Sequence, residues 1–153
     1  MNQDQLFMKE ALLEAQKAFL LDEVPIGAVI VQDGIVIARG HNLRETGKNA
    51  AAHAELLAIN EACSSLGGWR LPRCTLYVTL EPCPMCAGAM INARIDRVVF
   101  GAYDPKAGSC GSLVNLFDLP YNHRPLCEGG VLETECAGIL SEFFQQLRQK
   151  RKT

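Results

Sequence analysis

Nowhere in these 153 residues do eighteen apolar side chains run together, which excludes a helix that crosses a membrane. The first residues, Met1-Asn2-Gln3-Asp4-Gln5, lack a basic stretch, and no apolar stretch of signal-peptide type follows them. No export is therefore expected, and the chain reads as cytoplasmic. Repeats, linkers and low-complexity tracts are missing too, so a solenoid or a disordered chain is not expected. Charge of one sign is scarce: the net of −2 excludes a protein that is basic all over. What asymmetry there is lies at the end. Residues 144–153 carry Arg148, Lys150, Arg151 and Lys152 and no acid, and a tail of +4 within a net of −2 leaves −6 on the rest.

What is present suits one globular domain, residues 1–153, with a basic C-terminal helix and tail over about 138–153. Hydrophobic residues make up 48% and charged residues 21%, an ordinary balance for a packed core. Seven cysteines are an odd number for a disulfide framework. In a chain without a leader, spaced cysteines point instead to metal binding or catalysis.

Apolar periodicity predicts an amphipathic helix within residues 3–21, on Met8, Leu12, Ala15 and Phe19. The runs 26–31 and 35–40 read as strands joined by Asp33-Gly34, a two-residue hairpin signal. A polar loop (41–52) precedes a helix from about His53 to Leu66, ended by Gly67-Gly68. Thr75–Leu80 reads as a strand, Pro84 as the opening of a helix, and Arg97–Ala102 as a strand parallel to the first of these. Beyond that, a short helix is expected at Leu113–Phe117, a last strand at Val131–Glu135, and a helix on Leu140, Phe143, Phe144 and Leu147 that frays into the tail. These elements make an α/β fold with a mixed sheet of about five strands and helices on both faces.

The chemical signal is His53-Ala54-Glu55 at a helix start and Pro82-Cys83-Pro84-Met85-Cys86 at a strand-to-helix junction. Cys83 and Cys86, three apart, share a helix face and can hold one ion. His53 would complete three donors of the borderline-soft kind zinc prefers, leaving a fourth position for water as catalytic sites do. Glu55 beside that water would carry protons. His53 and Glu55 can share a pocket only if the first of them is not yet helical. A C-x-x-C motif opening a helix is also how a thioredoxin-like redox site looks, and on spacing alone both readings stand. The other five, Cys63, Cys74, Cys110, Cys127 and Cys136, have no ligand spacing and read as buried inert thiols.

Together, His53-Ala54-Glu55 and Pro82-Cys83-Pro84-Met85-Cys86 resemble the zinc-dependent cytidine/deoxycytidylate deaminase superfamily. Val24-Pro25-Ile26-Gly27-Ala28-Val29, His41-Asn42, Leu76 to Cys83, Asp104-Pro105-Lys106-Ala107-Gly108, Asn122-His123-Arg124 and Ser141-Glu142-Phe143-Phe144 carry the likeness over nearly the whole chain. It is most similar to the bacterial tRNA-specific adenosine deaminases. The resemblance implies a three-layer α/β/α sandwich acting as a homodimer. It also implies one Zn2+ per chain on His53, Cys83 and Cys86, and Glu55 as the catalytic proton shuttle. Asn42, Ala54 and Asp104 fall on substrate-side positions, Asn42 on that of an asparagine contacting the target base. The implied substrate is the wobble adenosine of a tRNA anticodon stem-loop, in bacteria that of the arginine tRNA with anticodon ACG. A free-base or nucleotide deaminase of guanine or cytosine type shares the same metal core and is the alternative. An RNA-binding module with structural zinc would need a fourth ligand at suitable spacing.

Overall fold

The computed structural model describes residues 1–152; Thr153, the last residue of the expected domain, lies outside them. The first helix, α1 (Gln3–Leu20), is fixed at its start by a capping box: Asn2 Oδ1 accepts from the Gln5 amide at 2.8 Å, and Gln5 Oε1 accepts from the Asn2 amide at 3.0 Å. Strands β1 (Gly27–Gln32) and β2 (Ile35–His41) form the expected antiparallel hairpin. Asp33 (φ 51°) and Gly34 (φ 80°) both lie in the left-handed region, as a type I′ turn requires. Then follow α2 (Ala54–Leu66), closed by left-handed Gly67, β3 (Cys74–Leu80), α3 (Pro84–Asn92) and β4 (Arg97–Ala102). The chain finishes with a 3₁₀ turn (Leu116–Asp118), β5 (Leu126–Glu128) and α4 (Glu133–Lys152).

The five strands are ordered β2-β1-β3-β4-β5. β1 is antiparallel to both neighbours, and β3, β4 and β5 are mutually parallel, so the sheet is mixed. Alternation along the strands builds two cores. Ala28, Ile30, Leu76, Val78, Val98 and Phe100 face α2 and α3. Val29, Val31, Tyr77 and Val99 face Met8 and Ala11 of α1 and Cys136 of α4. That is the three-layer α/β/α sandwich. No helix among the described residues is long and apolar enough to cross a membrane.

Two glycines set how closely helices approach. A Cβ on Gly27 would lie 2.1 Å from the Ala11 carbonyl oxygen of α1, and one on Gly40 would lie 2.3 Å from the Ala54 carbonyl oxygen of α2. Both helices are thus seated directly on strand backbone. Gly40 positions the opening turn of α2, on which the site depends.

Three expectations for the second half are corrected. The last strand is Leu126–Glu128, not Val131–Glu135. Val131 and Leu132 lie in the turn before α4, Leu132 with φ 53°, which a strand cannot hold. The short helix falls at Leu116–Asp118 rather than Leu113–Phe117, because Asn115 Oδ1 caps it by accepting from the Phe117 amide at 3.1 Å. α4 begins at Glu133 and stays helical to Lys152 instead of fraying after Leu147. Acids in its first turn and bases in its last both suit the helix dipole.

Candidate active site

Two of the three donor residues stand just outside helices. His53 is the N-cap of α2, with extended backbone (φ −79°, ψ 148°), and Cys83 is the N-cap of α3 (φ −75°, ψ 172°). Neither side chain spends itself on capping. The non-helical turn at His53 removes the geometric conflict with Glu55, so both face one pocket. Pro84 at the first helical position turns Cys83 over the opening of α3, and Cys86 follows one turn later, fully buried.

His53 Nδ1 lies 3.6 Å from Cys83 Sγ and 3.4 Å from Cys86 Sγ. All three donor atoms lie within 4.8 Å of one another. Tetrahedral bonds of about 2.3 Å to sulfur and about 2.0–2.1 Å to nitrogen would separate S and N by roughly 3.5–3.6 Å, so the set fits a zinc-sized, borderline-soft ion. All seven cysteines are free thiols.

The electrostatics favour a dication. A hydrogen bond from Cys86 brings the Cys83 thiol down to about 4, and His53 adds to the effect. The same bond, seen from its donor, pushes the Cys86 thiol up. Contact with Cys83 raises His53 above its usual value. Negative charge thus collects on sulfur, the state that metal binding requires. Glu55 is 4% exposed, and burial pushes its carboxyl up to about 7. A carboxyl in that range can give and take a proton near neutrality.

His53, Cys83 and Glu55 line a cleft of about 460 Å³ whose rim includes Arg44, Tyr103, Asp104, Lys106 and Phe144. Asp104 lines the cleft, and its Oδ1 accepts from the Lys106 and Ala107 amides at 3.0 and 3.2 Å. It is both a turn former and a rim residue. Asn42 is buried beside His53 and Ala54 in a recess of about 40 Å³. Its Nδ2 donates to the Val24 carbonyl at 3.2 Å and its Oδ1 accepts from the Arg44 amide at 3.4 Å, leaving one N–H and one lone pair for a ligand. Ala54 is the first residue of α2 and wholly buried.

Sequence reasoning passed over Arg44, Tyr103 and Lys106, which come from loops without periodicity. Of the five other thiols, Cys74, Cys110 and Cys136 are buried as expected. Cys63 and Cys127 are half-buried, and Cys127 accepts a hydrogen bond from Cys110.

A buried carboxylate beside a three-donor cluster in a cleft of this size is an arrangement suited to hydrolytic deamination. The profile of the MafB19-like deaminases matches residues 1–148. A tRNA-specific adenosine deaminase of Bacillus subtilis (strain 168) is 59% identical over 153 residues, covering 99% of this chain and 95% of the relative. A solved tRNA:A34 deaminase, studied for A-to-I editing at the wobble position of transfer RNA, superposes with a TM-score of 0.85 at 50% identity, over 88% of this chain and 98% of that one. The guanine deaminase of Bacillus subtilis superposes with a TM-score of 0.65 at 37% identity, over 97% and 95%. The chain belongs to the MafB19-like deaminase family, with the tRNA-specific adenosine deaminases among its relatives.

Proposed function

We propose that this protein deaminates adenosine in tRNA, and in particular converts the wobble adenosine of the arginine tRNA with anticodon ACG to inosine, using one Zn2+ held by His53, Cys83 and Cys86. The observation that carries this reading is the convergence of those three donors with buried Glu55 at the floor of the cleft. Zinc bound there supplies an activated water for hydrolysis. The chain's own residues do the rest. Glu55 takes a proton from the attacking water and delivers it to N1 of the purine as the water adds at C6. Left unprotonated by that transfer, Glu55 takes the proton of the new C6 hydroxyl and delivers it to the departing amine, so ammonia leaves and the C6 carbonyl of inosine remains. Asn42 holds the edge of the base, Ala54 packs beneath it, and Asp104 stands at the rim beside the RNA. The base must be unstacked to reach this floor, which an anticodon loop permits.

A homodimer is part of the reading. The outer side of α3 carries exposed Met85 and half-buried Gly88, where an added Cβ would meet nothing within 4 Å. Exposed Leu113, Val114 and Leu119 flank the 3₁₀ turn packed against that helix. A single domain working in the cytoplasm completes the proposal.

The likeness to a guanine deaminase keeps one alternative in play. Incubating the protein with total bacterial tRNA and, separately, with free guanine, cytosine and cytidine decides between them. Inosine in tRNA with ammonia release is expected; ammonia from a free base alone would establish the alternative.

Two predictions arise here. Asn42→Ala should lower kcat/KM on tRNA by roughly 10-fold or more and leave zinc content unchanged, because part of the base edge loses its partner. Unchanged kinetics would make Asn42 only the brace for Val24 and Arg44. The second concerns the tail. Arg148 and Arg151 line a groove along α4 that shares Lys106, Leu140 and Phe144 with the cleft. Lys150 pairs with Asp22 at 3.1 Å, both side chains exposed, so losing that pair costs little stability. Cutting after Leu147 should flatten the log–log salt dependence of tRNA binding by about 0.7 per lost phosphate contact, or roughly 1.5 to 3 for two to four contacts. Turnover at saturating tRNA should barely change. Identical slopes for both forms would assign RNA recognition to the body of the protein.

A further inference from the structure

Two buried acids beside the cleft lie outside the donor set. Glu23 is 1% exposed and Glu81 2% exposed. Burying a carboxylate is costly unless donors satisfy it, and here the donors come from the two loops that form the rim. Glu23 Oε1 accepts from the Glu45 amide at 3.1 Å, and Oε2 from the Thr46 amide at 2.5 Å. The preceding residue, Arg44, projects into the cleft. Glu81 serves the opposite loop. Its Oε1 accepts from the Asp104 amide at 3.0 Å and the Ser112 hydroxyl at 2.5 Å, and its Oε2 from the Cys110 and Ser112 amides at 3.1 and 3.0 Å. The loop is wrapped so closely that a Cβ on Gly108 would lie 2.3 Å from the Glu81 carboxyl carbon. Asp104, Lys106 and Ala107 ride on it into the cleft.

Both acids are rooted in rigid structure. The Glu23 amide donates to the Ala18 carbonyl at the end of α1 (3.0 Å), and the Glu81 amide to the Ala102 carbonyl at the end of β4 (2.8 Å). Each is a fixed post to which a loop outside helix and strand is tied, in addition to the turn hydrogen bonds within that loop. Three backbone amides and the Ser112 hydroxyl converge on the Glu81 carboxyl, the donor set that a carboxylate accepts in hydrogen bonds of the stronger, charge-assisted kind.

We propose that Glu23 and Glu81 are positioning residues that hold the two rim loops in the form that receives the anticodon loop, and so govern how tightly tRNA is taken up rather than how fast the base reacts. This rests on the tRNA reading above. Glutamine at either position keeps the shape but turns an NH2 group toward amide donors, so half of the tie becomes donor against donor.

The test uses full-length Glu23→Gln and Glu81→Gln proteins in two arms. In hydrogen exchange, peptides covering residues 44–48 should exchange faster in the first variant, and those covering 104–112 in the second. The expected factor is about 10–100-fold, the size of a lost charge-assisted hydrogen bond. In turnover, KM for tRNA should rise about tenfold or more, while kcat stays within roughly threefold and zinc remains at one per chain. Should Glu81→Gln fail to fold, Ser112→Ala removes part of the same tie and keeps the charge; it should show the same pattern, smaller. Unchanged exchange in the tied loop overturns the proposal, as does a fall in kcat with KM unchanged, or loss of zinc. A wild-type protein that forms no inosine in tRNA would remove the functional reading instead, and the exchange arm then decides the tie by itself.

Discussion

Glu55→Gln is expected to suppress inosine formation by at least roughly 10²–10⁴-fold, the usual worth of one general acid–base group. A residue acting on both the attacking water and the departing amine can exceed that range. Zinc should stay at about one per chain and the fold should be intact. Glutamine is the informative replacement because Glu55 is 4% exposed and alanine would leave a hole beneath the donor cluster. The carboxyl, pushed up to about 7 chiefly by burial, can be found in either protonation state near neutral pH, whereas a carboxamide carries no exchangeable charge at all. Rates on tRNA at saturation, with metal analysis on the same sample, give the answer. A variant turning over near the wild-type rate would remove the mechanism, and loss of zinc would recast Glu55 as a ligand.

Cys86→Ser should be as severe, for another reason. Serine is nearly isosteric, but its hydroxyl does not ionise to a ligand at neutral pH, so two donors remain where three converge within 4.8 Å. Zinc content should fall from about one per chain to a small fraction, and deamination should become undetectable. The donors come from the opening turns of both α2 and α3, so a metal bound there would also tie these helices together. A ligand that binds only the folded state at a thousand times its Kd adds about 4 kcal/mol, and wild-type protein stripped by a chelator should lose thermal stability accordingly. Cys86→Ser that retains stoichiometric zinc and activity would sink the three-donor assignment.

Much of this was readable in the residues. Asp33-Gly34 set the hairpin because only a few residue types tolerate its two positive φ angles. Pro84 and the two flanking apolar runs marked β3, α3 and β4, whose parallel pairing follows from the crossover. His53 and Glu55 were legible as partners once the first was placed outside the helix, and the structure puts it there as the N-cap. What failed was the stretch after residue 110. β5 is three residues on an exposed edge, with Leu126 72% exposed, too short and too wet to leave a pattern. Val131-Leu132 looks like strand, but the Val131 amide donates to the Phe100 carbonyl while Leu132 turns left-handed into α4. The ties at Glu23 and Glu81 could not be read at all. Their partners are mostly backbone amides more than twenty residues away, and an amide leaves no trace in residue identity.

Gly40 never meets the substrate cleft, yet the missing β-carbon fixes how deep the turn bearing His53 and Glu55 sits, since any added atom would collide with the Ala54 carbonyl at 2.3 Å and the Ala58 amide at 2.9 Å. In a saturation scan scored by growth or editing, position 40 will therefore look as intolerant as position 55. The two positions part company only when abundance is scored beside activity, because one supplies a proton and the other supplies a clearance. An intolerance map of this enzyme outlines the reaction and the scaffolding tolerances together, and Gly27 and Gly40 belong with the second.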